Sequence, residues 1–122
     1  MGVAKVGRRK LRVAQREFIW YVRDDPDSAS MILHVLSEDK QFIVKYEVGQ
    51  QQAGKPALLI VIGKEFVGLD DNDSGCWRRV VCPAWNDDSV ITPKFVRRLV
   101  EWALSKKDVT EYVWRGQSLT KK

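Results

Sequence analysis

Apolar residues recur with a period of two along much of the chain. The alternation is cleanest over residues 41–48, where Phe42, Val44, Tyr46 and Val48 point one way and Ile43, Lys45 and Glu47 the other. Such a pattern predicts a strand with one face against a core. Residues 17–23 carry Phe18, Ile19, Trp20, Tyr21 and Val22 in succession, and β-branched and aromatic side chains suit a pleated surface. Residues 10–13, 31–36 and 77–82 predict further strands, the last with Arg78 and Arg79 on opposite faces. Residues 57–62 are apolar at every position, which predicts a strand buried on both sides. Residues 65–69 are expected to continue the sheet after a bend at Gly63, and residues 111–114 to add a final strand. Polar stretches rich in Asp, Asn, Gly, Pro and Ser separate these segments at 24–27, 37–40, 49–56, 70–75 and 83–89. Neighbouring strands joined by short links form an antiparallel meander.

The period changes once. Thr92 is a good N-cap, Pro93 suits the first helical position, and Ile91 can staple onto Val96. Phe95, Val96, Leu99, Val100, Trp102, Ala103 and Leu104 then fall on one broad helical face, with Lys94, Arg97, Arg98, Glu101 and Ser105 opposite. Lys106 and Lys107 complement the dipole at the far end. A helix of about four turns is ~22 Å long and covers one side of a sheet. The expected fold is therefore α+β: an antiparallel, strongly curled β-meander of about five to seven strands packed on one C-terminal amphipathic α-helix. It forms a single domain over residues 1–122, with residues 1–8 loosely ordered. Several strands are apolar on both faces, so curling, the chain termini or a second copy must cover the other side. A homodimer built through the sheet follows as an expectation.

Composition narrows the class. A chain of 122 residues suits one domain. With 44% hydrophobic and 30% charged residues, neither general disorder nor a fibrous repeat fits. The longest apolar run, residues 57–62, falls far short of the ~20 residues a membrane helix needs. The basic N-terminus lacks a following apolar region, so neither a secretory signal nor membrane association is expected, and the location is read as cytoplasmic. The net charge of +5 and pI near 9.4 permit an acidic partner. Positive residues group at Lys5, Arg8, Arg9, Lys10 and Arg12, then at Arg78 and Arg79, and again at Lys94, Arg97 and Arg98. The acids cluster in turns, at 24–27, 70–73 and 87–88. On one extended strand Cys76 and Cys82 lie ~20 Å apart, beyond the roughly 7 Å a disulfide allows. Both are read as thiols of a reducing compartment, serving as small buried residues.

Catalytic patterns are sparse. From Asp70, oxygen-bearing side chains fall at the first, third and fifth places of a calcium loop with Gly75 sixth, but Val81 stands where a closing Glu belongs. No metal and no cofactor is expected. His34 is the single histidine, read as structural, and nothing places Cys76 or Cys82 beside it as a nucleophilic pair. The G-x-S-x-G elbow, the Walker A loop and H-E-x-x-H are all absent. An enzyme is therefore the third reading, as a small Cys/His site. The first is an interaction module for a protein partner, with self-association, because Arg and Trp favour interface centres. The second is a single-stranded nucleic-acid-binding protein with a basic, aromatic sheet face, since stacking platforms and cations hold such strands. A meander followed by one helix is also similar in layout to some single-strand-binding folds. Candidate contact residues are Trp77, Arg78, Arg79, Trp85, Lys94, Arg97 and Arg98, with Tyr21 and Tyr46 as further rings and Trp20 and Trp102 assigned to the core.

Overall fold

The computed structural model describes residues 8–24, 30–51, 54–69, 77–85 and 89–122. Its elements are β1 (Arg9–Val13), β2 (Arg16–Asp24), β3 (Met31–Ser37), β4 (Ile43–Glu47), β5 (Ala57–Val61), β6 (Arg78–Cys82), α1 (Pro93–Ala103), β7 (Glu111–Arg115) and β8 (Ser118–Lys121). The strands form one antiparallel sheet in chain order, β1 through β8. The α+β meander, with one helix among the described residues, is as expected. Two details of the expectation are corrected: the described residues form eight strands, and the sheet stays open with β1 and β8 as its edges instead of curling onto itself.

The eighth strand arises from a two-residue hairpin. Arg115 pairs with Ser118, and Gly116 between them has φ of +65°, which a side-chain-free residue adopts at no steric cost. A similar loop joins β1 to β2, where Ala14 and Gln15 take φ of 50° and 67°. The segment 65–69 is not a strand. The Gly63 and Glu65 amides donate back to Ile43 O (3.1 Å) and Gln41 O (2.8 Å), and the chain then turns at Gly68. Gly63 is required there, because a Cβ would press on the backbone of Gln41 and Ile43.

One face of the sheet is the core. Phe18, Trp20, Leu33, Val35, Val44, Tyr46, Leu59, Val61 and Val80 are all buried on it, and the residues between them point away. Ala57, Leu59 and Val61 are buried while Leu58 and Ile60 are only half-buried, so β5 is covered on one side, not both. No described element covers the other side. The polar loop after β4 is tied down: the Gln50 side chain donates to Leu58 O (2.9 Å) and accepts from Leu58 N–H (2.8 Å), standing in for a strand residue.

The helix lies across the core face. The Thr92 hydroxyl accepts from Phe95 N–H at 3.2 Å with Pro93 at the first position, which satisfies an otherwise orphaned donor. Phe95, Val96, Leu99, Val100 and Ala103 are buried, each of the larger ones contributing ~1.5–3 kcal/mol. Phe95 packs edge-on against Tyr46 of β4, Trp102 packs against Phe66, and Arg97 donates to Arg12 O of β1 at 3.0 Å. With 11 residues, α1 spans ~16 Å, shorter than the expected four turns. Ser105 N–H and hydroxyl both donate to Trp102 O, and Lys107 Nζ donates to Ala103 O, Ser105 O and Val67 O within 3.0 Å. Those side chains take the last helical carbonyls and end the helix. The Lys107 ammonium also lies over the rings of Phe66 and Trp102. Burial pushes its pKa down to about 8, against the pull of those carbonyls and rings.

Candidate binding face of the sheet

Strand register decides which side chains share the helix-free face. Tyr21 is opposite His34, His34 opposite Lys45, and Lys45 opposite Ile60. Ile60 is in turn opposite Arg79, Arg79 opposite Tyr112, and Tyr112 opposite Lys121. Strands lie about 4.8 Å apart, so this transverse row runs about 29 Å from β2 to β8. A parallel row alongside it is apolar: Ile19, Leu36 and Ile43. Among the described residues, register places only Glu17 and Glu47 on this face as acids, each toward a margin.

Rings and cations on this face are interleaved. Tyr21 and His34 stack at 4.7 Å with an angle of 11°. The Arg8 and Arg23 guanidinium groups lie 4.6 and 5.1 Å from the Tyr21 ring centre. Lys45 Nζ sits 4.3 Å over Trp77, and Arg79 sits 5.6 Å over Trp114. Trp77 and Trp114 are 53% and 57% exposed, unusual for large apolar side chains that have a core available.

The sequence-derived candidates separate into three places. Trp77 and Arg79 lie on the helix-free face. Arg78 lies on the opposite side, where its Nε and Nη2 donate to the two Glu111 oxygens at 3.0 and 2.7 Å. Trp85 packs edge-on against Phe95 and Trp102 beside the core, and Tyr46 is fully buried. Lys94, Arg97 and Arg98 line the exposed side of α1, separated from Trp77 by the sheet. Arg8, Arg23, Lys45, Tyr112 and Trp114 complete the face and are additional to the sequence-derived candidates. Parity within residues 41–48 already set Lys45 opposite Phe42 and Val44, so a signal for one of them was present.

Other chemistry is confined to the core side and the rims. Cys82 is buried opposite Ala57 on the core face, whereas His34 is on the helix-free face, so the sheet separates that thiol from the imidazole. Cys76, the calcium-like loop at 70–75 and the acid groups at 25–27 and 87–88 lie outside the described residues. Arg16 Nη1 and Nη2 donate to Glu65 at 2.7 and 2.9 Å, which raises the arginine pKa. The Ser37 hydroxyl and the Gln41 amide donate to Asp39 and lower its pKa. Among the described residues no group of His, Cys, Asp and Glu gathers to hold a metal ion, and no helix is long and apolar enough to cross a membrane. Comparison with protein-family models, with curated proteins and with solved structures finds no match to this chain.

Proposed function

We propose that this protein is a binding module acting through the helix-free face of its sheet, and that its ligand is single-stranded nucleic acid. One observation carries the reading: exposed rings and cations alternate across a sheet face that no described element covers and whose acids, among the described residues, stand only at its margins. Cations neutralise phosphates without regard to sequence, and rings stack bases. Face-to-face self-association would bring together two faces that each carry Arg8, Arg23, Lys45 and Arg79, a like-charge arrangement that disfavours it. The apolar row of Ile19, Leu36 and Ile43 favours a second reading, an acidic protein partner that buries it. Polarisation of a labelled single strand at two salt concentrations separates the two. The expected result is binding that weakens as salt rises, by a slope near −0.7 per phosphate neutralised. Absence of binding at low salt overturns the nucleic-acid reading in favour of the protein partner.

A further inference from the structure

We infer that Trp77 and Trp114 are base-stacking platforms, which Lys45 and Arg79 cover in the free protein and uncover by moving onto the strand's phosphates. This rests on the nucleic-acid reading above and specifies how that ligand is held. The two tryptophans are the most exposed rings on the face, and each carries a cation against its π surface. Arg79 pairs with Tyr112 and Val80 with Glu111. Trp77 immediately precedes β6 and Trp114 lies on the adjacent β7, so in this antiparallel pair both stand at the same end of the β6–β7 seam, where they can take two neighbouring bases. The cations stand on β4 and β6, with Ile60 of β5 between them, about 10 Å apart at strand spacing.

Exchange is favourable on both sides. A cation over an exposed ring stabilises it by roughly two- to fivefold in equilibrium terms. A stacked base contributes about five- to hundredfold, and the displaced cation gains a charge-assisted contact with phosphate. The covering cations also keep two large apolar surfaces from aggregating in the absence of ligand.

The test uses the full chain, a labelled oligothymidylate and an abasic strand of equal length, which has the same phosphates and no bases. Wild type should bind the thymidylate at least tenfold more tightly than the abasic strand. Trp77→Leu and Trp114→Leu should each lower thymidylate affinity about five- to hundredfold and not weaken abasic binding, which should tighten by up to about fivefold because the cation no longer has to leave a ring. Both side chains are more than half exposed, and circular dichroism checks that the variants fold. Lys45→Met should weaken both strands and reduce the salt slope by about 0.7. Equal binding of the two strands, tryptophan variants that bind as wild type, or an unchanged slope in Lys45→Met would overturn this inference and leave the broader reading standing. If neither strand binds wild type, the broader reading falls and takes this inference with it.

Discussion

Replacing Glu111 by Gln tests how the last hairpin is held to the rest of the sheet. β7 joins β6 through only two registered pairs, Arg79 with Tyr112 and Val80 with Glu111. The Arg78–Glu111 pair reinforces that seam, with side chains 18% and 12% exposed, too sheltered for solvent to screen it as a surface pair. Hydrogen bonds to charged groups contribute ~1.5–3 kcal/mol each. Glutamine keeps one acceptor oxygen, so the net loss should be about 2 kcal/mol, or roughly 8 °C in Tm for a chain of this size. The hydrogen bond from Arg78 is the main cause holding the Glu111 carboxyl below its ordinary value of 4.5, with the positive charge of Lys122 adding to it against partial burial. The folded state therefore releases this proton more readily than the unfolded chain. The stabilisation is complete above pH 4.5 and is lost as pH falls through the folded value. Urea denaturation of wild type and Glu111→Gln from pH 7 to 3 should show a gap that narrows in acid. Asp39 also titrates low, but it is common to both chains and cancels in the difference. No gap at pH 7, or a gap constant down to pH 3, would refute the reasoning.

Three further outcomes are expected. Gly63→Ala forces a methyl group against backbone atoms of Gln41 and Ile43 that have no rotamer to escape into, so the urea midpoint should drop by the equivalent of ~1–3 kcal/mol; an unchanged midpoint would mean that the bend can yield. Thr92→Ala removes the acceptor for Phe95 N–H and should cost about 1 kcal/mol, whereas Thr92→Ser should not, both read by thermal melting. Lys107 titrates near 8 when folded against 10.5 ordinarily, so over that interval the unfolded chain holds more protons and stability rises with pH. The stability difference between wild type and Lys107→Met should change between pH 7 and 11, and a flat difference contradicts the assignment.

Much of the architecture was legible where one physical demand dominates. Residues 41–48 alternate because one face is sealed, and Phe42, Val44 and Tyr46 are all buried as the alternation predicts. Thr92 and Pro93 mark the helix start because capping chemistry is local. The misreadings have equally definite causes. Phe66 is apolar not to pair in a strand but to pack on Trp102. β8 carries Leu119 as its one large apolar residue, too little for a period. The site was the least legible part. Strand parity already sets Arg78 and Arg79 on opposite faces, yet it does not say which of them the helix covers, nor that Lys94 and Arg97 lie on the far side of the sheet from Arg79. The true neighbours of Arg79 come from β5 and β7, a relation set by register.

Because strand order repeats chain order, the first four strands can zip onto one another as soon as they leave the ribosome, with little loop to close, whereas β6 and β7 close longer connections. The greasy layer so assembled stays uncovered until residues 93–103 have been made, and the bond from Arg97 to Arg12 joins residues 85 positions apart. Nascent chains stalled before α1 should therefore be the species that chaperones capture and that clump when chaperones are scarce. Loss of β7 and β8 alone should be much better tolerated, since the helix would already be seated.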